Sequence, residues 1–225
     1  MGLFHSPNIT MSALEICVDA GNTKSYSGSG ATWTDIASRS PNNVTWAVTP
    51  THANGVFTLN GTTHRATVSS TPLLDVLDTV HSFEFWCKPT TVDGNDRFFY
   101  CLSLSGANDY IAVYNSSNIR VYHDTTIYTI TTSAFTQDVW HHVVLTFDYT
   151  ATEWKLYIDN TLIDTITTTT TPSSTATVID LFVDNDGGSY NQHFVGDMGM
   201  FRFYSKTLSA AEVNTNYLAH ITRYR

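Results

Sequence analysis

Between Trp140 and Ile163 the chain spells out strands that leave little freedom of fold. Trp140-His141-His142-Val143-Val144-Leu145-Thr146-Phe147 precedes Trp154-Lys155-Leu156-Tyr157-Ile158-Asp159, and Asn160 then leads into Leu162-Ile163. A strand repeats every two residues, so Trp154, Leu156 and Ile158 share one face. Asp159-Asn160 is a turn pair that tolerates positive φ, which makes the last two runs a hairpin. Phe194 to Tyr204 forms another long apolar run. Similar short runs of Val, Ile, Thr, Tyr and Phe recur between clusters of Gly, Asn, Asp, Ser and Pro, the pattern of an antiparallel sandwich and not of alternating strands and helices. Strands are expected near 14–19, 45–49, 55–59, 64–69, 80–88, 97–104, 109–114, 118–123, 126–131, 139–148, 154–159, 161–166, 178–183 and 193–204. Asn115-Ser116-Ser117-Asn118 is the turn of another hairpin. The Thr167–Thr171 run and Pro172-Ser173-Ser174 read as an exposed loop or edge. Ser209-Ala210-Ala211-Glu212 is a capping box, predicting one short helix over 210–218 whose Val213 and Tyr217 face the sandwich.

The chain of 225 residues, 42% hydrophobic and 13% aromatic, suffices for one sizeable core. The expected organisation is an N-terminal arm, 1–13, and a domain, 14–225. A formal charge of −9 gives no electrostatic footprint for nucleic acid. Cys17, Cys87 and Cys101 lie in apolar strand contexts without Cys-x-x-Cys spacing, as small buried side chains made in a reducing cytoplasm. Met1 to Thr10 lacks the basic and apolar regions of a secretion signal, and no apolar run is long enough to span a membrane. The sequons at Asn43 and Asn60 therefore lack a secretory context.

Several segments together carry a family resemblance. They are Val18-Asp19-Ala20-Gly21-Asn22 with Ser25 to Gly30 and Trp33-Thr34-Asp35, Leu59-Asn60-Gly61, and Phe83-Glu84-Phe85-Trp86-Cys87-Lys88-Pro89. Then follow Trp140-His141-His142-Val143, Leu156 to Asn160, and Gly196-Asp197-Met198-Gly199 running into Leu208 to Val213. In this order, across about residues 12–220, the chain resembles laminin G-like, concanavalin A-like jelly-roll domains common in bacteriophage genomes. The resemblance implies an all-β, two-sheet antiparallel jelly-roll sandwich with one short C-terminal helix. The opening Met1-Gly2-Leu3-Phe4-His5-Ser6-Pro7, joined to the Asp-Ala-Gly-Asn segment, resembles virion structural proteins of tailed phages of marine bacteria, of the cyanophage type. Two residues depart from the family pattern: Glu84, where a small or uncharged residue is usual, and Asn160, in place of the usual Gly.

Catalysis by a sandwich of the laminarinase kind needs two carboxylates on alternate positions of one strand, about 5–5.5 Å apart for retention. Glu15, Glu84, Glu153 and Glu212 provide no such spacing, so a non-enzymatic protein is expected. Asp93 to Asp96 and Asp184 to Gly188 read first as turns. His141 and His142 are adjacent on a strand, face opposite sides, and are not expected to chelate one ion together. Calcium is the metal implied by the resemblance, with Asp19 and Asp197 as carboxylates where the first and last strands meet, and Asp184 and Asp186 as an alternative loop site. Glycan binding requires an aromatic face beside planar hydrogen-bonding groups, and the candidates are Tyr190, Asn191 and Gln192, and Asn108, Asp109 and Tyr110. Trp86, Trp140 and Trp154 are expected to fill the core between the sheets.

The expected role is that of a virion structural protein made in the host cytoplasm: capsid decoration, fibre or knob. Its partners would be capsid or tail subunits and further copies of itself, with host-surface glycan as a multivalent ligand. Leu3, Phe4 and Ile9 of the arm are expected to dock on a neighbouring subunit. The alternative is a free carbohydrate-binding, lectin-like module, with a polysaccharide-cleaving enzyme a distant third.

Overall fold

The computed structural model describes residues 8–37, 41–68, 80–90, 95, 97–102, 110–115, 118–123, 126–168 and 178–225. In chain order the strands are β1 (Leu14–Asp19), β2 (Thr32–Trp33), β3 (Val44–Trp46), β4 (Thr51–Ala53), β5 (Val56–Asn60) and β6 (Ala66–Val68). Next come β7 (Val80–Pro89), β8 (Arg97–Leu102), β9 (Tyr110–Asn115), β10 (Asn118–His123), β11 (Thr126–Thr131) and β12 (His141–Asp148). The last are β13 (Glu153–Ile158), β14 (Thr161–Thr167), β15 (Ile179–Leu181), β16 (Asp184–Asp186), β17 (Ser189–Asn191) and β18 (Val195–Tyr204), followed by helix α1 (Ala210–Tyr224).

Two eight-stranded antiparallel sheets form the sandwich. The first runs β14-β13-β12-β7-β18-β5-β4, with β1 also paired to β18, and the second runs β11-β10-β9-β8-β15-β6-β3-β2. Facing side chains fill the space between them: Phe83, Phe85, Phe201 and Phe203 from the first sheet, and Trp46, Tyr100, Val121 and Leu181 from the second. Phe83 stacks on Tyr100 across the sandwich with ring centroids 3.8 Å apart. Each such fully buried apolar side chain contributes about 1.5–3 kcal/mol relative to exposure.

The central strands of the first sheet are buried on both faces over most of their length. Strand β7 therefore reads as a near-continuous run, with Phe83, Phe85 and Cys87 inward and Ser82, Glu84 and Trp86 outward, all buried. Helix α1 covers the outward face. Val213 packs into a cluster with Leu14, Cys17, Val144, Tyr157, Tyr204 and Leu208, while Tyr217, Ile221 and Tyr224 pack with Trp86 and Met200. The predicted capping box is present: Ser209 Oγ accepts from the Glu212 amide and the Glu212 carboxylate accepts from the Ser209 amide. The helix runs six residues past the predicted end at 218 because Ile221 and Tyr224 continue its apolar stripe.

Other differences are local. Four short strands, β2, β4, β16 and β17, were not expected, and Asp184 to Gly188, read first as a turn, is part of a hairpin that runs on to Asn191. Asp159 and Asn160 adopt φ of 51° and 67°, as the predicted turn requires. Cys17 and Cys87 are buried and unbridged, while the side chain of Cys101 lies outside the described part, as do the 93–96 turn apart from Asn95 and the 169–177 stretch. No helix among the described residues is long and apolar enough to cross a membrane.

Leu3 and Phe4, expected with Ile9 to dock on a neighbouring subunit, lie outside the described residues, and Ile9 has a place in its own domain. It packs half-buried against the Leu14–Tyr204–Val213 cluster of its own domain, and the neighbouring Thr10 amide donates to Asn216 Oδ1 at 2.7 Å. An apolar side chain next to a ready apolar cluster buries itself there at no cost in association entropy.

Candidate functional site

Cross-strand register lays out the covered face of the first sheet in rows. Glu84 faces Arg202, Arg202 faces Cys17, Trp86 faces His142 and Met200, and Met200 faces Asp19. One row further, Lys88 faces Asp197, which faces Thr58. A bulge between Met198 and Met200 changes the phase of β18, so Asp197, Met200 and Arg202 share this face although 197 and 200 differ in parity.

Beneath the helix this layout creates a buried ionic hub. Glu84 Oε1 accepts from Arg202 Nη1 at 2.7 Å and from His142 Nε2 at 2.9 Å, and its Oε2 accepts from Asn216 Nδ2 at 2.8 Å. Burial alone would raise the Glu84 pKa, but Arg202 and His142 outweigh it and bring it down to about 2. His220, which accepts from Arg202 Nη2, is pushed down to about 4, first by burial and then by the Arg202 charge. His142 serves this hub while His141, facing the other way, bonds Asp159 Oδ2 through Nδ1 at 2.8 Å, as the alternation predicts. Glu84 is sealed from solvent, so the residue that departs from the family pattern is an internal ion and not a surface acid.

Beyond the end of the helix the Lys88–Asp197 row is uncovered, and a cleft of about 260 Å³ opens over it, lined by Asn54, Val56, Lys88, Trp140, Asp197, Arg223 and Tyr224. The walls are aromatic: Trp140 and Tyr224 have ring centroids 4.6 Å apart. Lys88 Nζ lies 2.7 Å from Asp197 Oδ2, and Thr58 Oγ1 donates to Asp197 Oδ1 at 2.8 Å. Arg223 comes from the last turn of α1. Its Nη1 donates to both Asp19 oxygens at 2.7 and 2.8 Å, and its Nη2 donates to the Gly55 carbonyl at 3.0 Å. The rim opposite is the Asn54-Gly55 turn of β4–β5, with φ of 53° and 74°, a hairpin dipeptide written plainly in the sequence.

The two expected calcium carboxylates thus border this cleft, each with a cation of the chain as its partner. A calcium ion takes six to eight oxygen ligands, and among the described residues no three His, Cys, Asp or Glu side chains are grouped to hold one. The residues present do not fit a calcium site in this arrangement. Trp140 also corrects its sequence reading, since it is half-buried at the cleft and not between the sheets, and Trp86 is buried under the helix; Trp154 alone of the three fills the inter-sheet core.

Two of the other expected sets meet on β16–β17. Asp184 pairs with Asn191, Asn185 with Tyr190, and Asp186 with Ser189, so the alternative metal residues share with Tyr190 and Asn191 one hairpin closed by Gly187 and Gly188, and Gln192 follows it. Asn185 Nδ2 donates to Asp180 Oδ2 at 2.8 Å, anchoring the hairpin to the second sheet. Burial, with the neighbouring Asp186 charge, raises Asp184 to about 6. Tyr190 is exposed, but the Arg65 guanidinium lies 3.6 Å from its ring centroid and covers one face. Asn191 and Gln192 are exposed. Asn108 and Asp109 lie outside the described residues, and Tyr110 is described only as the first residue of β9.

A family model described as the Concanavalin A-like lectin/glucanases superfamily, of the laminin G type, matches residues 60–214. The chain belongs to this family. Solved structures share the concanavalin A-like fold at low identity. A Trypanosoma rangeli sialidase in complex with sialic acid superposes with a TM-score of 0.71 at 12% identity, over 93% of this chain and 33% of the sialidase. The binding domain of botulinum neurotoxin DC in complex with SialylT gives 0.68 at 15%, over 92% of this chain and 52% of that one. The chain therefore spans about a third to a half of these relatives' length, and at such identities the likeness concerns the fold alone. A search of curated protein sequences finds no match.

Proposed function

We propose that this concanavalin A-like domain is a non-catalytic glycan-binding module, carried as a structural subunit on a phage particle. The observation that carries the binding role is the open cleft with aromatic walls, Trp140 and Tyr224, beside the hydrogen-bonding groups of Asn54, Lys88 and Arg223. An indole face receives sugar C–H groups while planar polar groups take the hydroxyls. Among the structures that share the fold, a sialidase of which this chain matches a third was solved in complex with sialic acid. The non-catalytic reading is supported by the glutamates, all of which have structural partners: Glu15 with Ser205, Glu84 in the hub, Glu153 with Lys155, and Glu212 in the helix cap. The virion role rests on the N-terminal resemblance. Oligosaccharide binding by the purified chain, lost in Trp140→Ala with the melting temperature retained, is the expected outcome; equal binding by the variant would remove the cleft from the proposal. Mass spectrometry of purified particles tests display: stoichiometric copies support it, and absence favours a free lectin-like module.

A further inference from the structure

We infer that the cleft takes a terminal acidic sugar and that Arg223 supplies, as a fixed guanidinium, the positive charge that a rim calcium ion would otherwise bring. This rests on the glycan-binding reading and specifies its ligand. Asp19 is fully committed: both oxygens accept from Arg223, and Oδ1 also accepts from the Gly21 amide at 2.8 Å. The fold makes room for this guanidinium. A Cβ on Gly21 would stand 2.1 Å from Arg223 Nη2, and Gly21 has no left-handed φ, so glycine is needed there for space and not for backbone conformation. Gly55, across the slot, brings its carbonyl to the same group.

The donors left over define the ligand. A guanidinium has five N–H groups; Asp19 engages Nη1 and Gly55 engages Nη2, which leaves the Nε–H and the second Nη2–H for a ligand. Lys88 spends one contact on Asp197 and lies 5.9 Å from the Trp140 ring centroid. Two cations, Lys88 and Arg223, line the cleft, each paired with one carboxylate, Asp197 and Asp19, so the donors these pairs leave over, and not an excess of charge, are what an anionic group would meet. A carboxylate or sulfate between Lys88 and Arg223 would receive charge-assisted hydrogen bonds while its sugar ring lies on Trp140. At about 260 Å³ the cleft suits one terminal ring and not a long oligosaccharide stretch.

The test uses the full chain against oligosaccharides ending in glucuronic acid or sialic acid, and the same compounds with the carboxyl group reduced to the alcohol. The acidic forms should bind about tenfold more tightly or better, reflecting at least one charge-assisted hydrogen bond. That preference should weaken with salt and be indifferent to a calcium chelator. Gly21→Ala displaces a flexible side-chain end without changing charge, and should abolish the preference while leaving the melting temperature close to wild type. Lys88→Gln should reduce it independently. Equal binding of acidic and reduced sugars would overturn the acidic-ligand inference and leave glycan binding standing. Loss of binding on chelation would overturn the role of Arg223. Binding to no sugar would remove the proposed function itself.

Discussion

Glu84 illustrates how a single residue can be plain in the sequence and opaque in meaning. Its carboxylate is buried with Arg202, His142 and Asn216, and it accepts a hydrogen bond from each of them. Removing one member of a buried ion pair strands the other, so Glu84→Gln should lose about 3–5 kcal/mol in urea unfolding. The double variant Glu84→Leu, Arg202→Met should lose less than the single one, because no charge remains buried. The folded pKa of Glu84 lies at about 2, below its usual 4.5, so its ionised form is favoured in the fold. That contribution is present above about pH 4.5 and is lost as pH falls toward about 2. His220 acts in a higher window: held down at about 4, it takes up its proton less readily when folded, so stability falls between about pH 6.5 and 4. Sequence could place Glu84 on a strand, but its partner sits 118 positions away, and no local pattern names it.

At the scale of elements, local chemistry was legible where it was self-contained. The Ser209–Glu212 cap and the Asp159-Asn160 turn satisfy backbone groups within a few residues, and both appear as read. The β4–β5 hairpin carries an equally local signal in Asn54-Gly55, a turn dipeptide with positive φ at both residues. The hairpin β16–β17 is different, since three-residue strands carry too little periodicity to be recognised. Here burial and Asp186 raise Asp184 to about 6, so its ionised form is disfavoured in the fold. The folded state binds the proton more readily between about pH 3.8 and 6, and the penalty is fully present only above that window. Asp184→Asn should raise the melting temperature at about pH 7.5 and leave it little changed at about pH 3, below both pKa values. A rise of the same size at both would mean that the carboxylate charge is not the cause.

Over the whole molecule, the helix and the end of the arm form a further layer on the outer face of the first sheet. Asn216 joins all three, donating to Glu84 and to the Tyr204 hydroxyl and accepting from the Thr10 amide. Deleting residues 2–10 takes away that last donor and the Ile9 packing, leaving a buried acceptor unpaired. The truncated chain should stay folded but lose about 1–3 kcal/mol in chemical unfolding. A separate measurement of particle incorporation tests the assembly role proposed for Leu3 and Phe4; normal incorporation would contradict it. By itself the sequence determined the antiparallel sandwich, its long strands, its helix cap and the opposite facing of His141 and His142, because period and capping act over short distances. Only the tertiary structure decided that Glu84 meets Arg202, that Arg223 rather than a metal grips Asp19, and that Trp140 and Lys88 share a cleft. Those pairings depend on strand order, on the β18 bulge that shifts register, and on where α1 ends, which bring together residues that no local pattern connects.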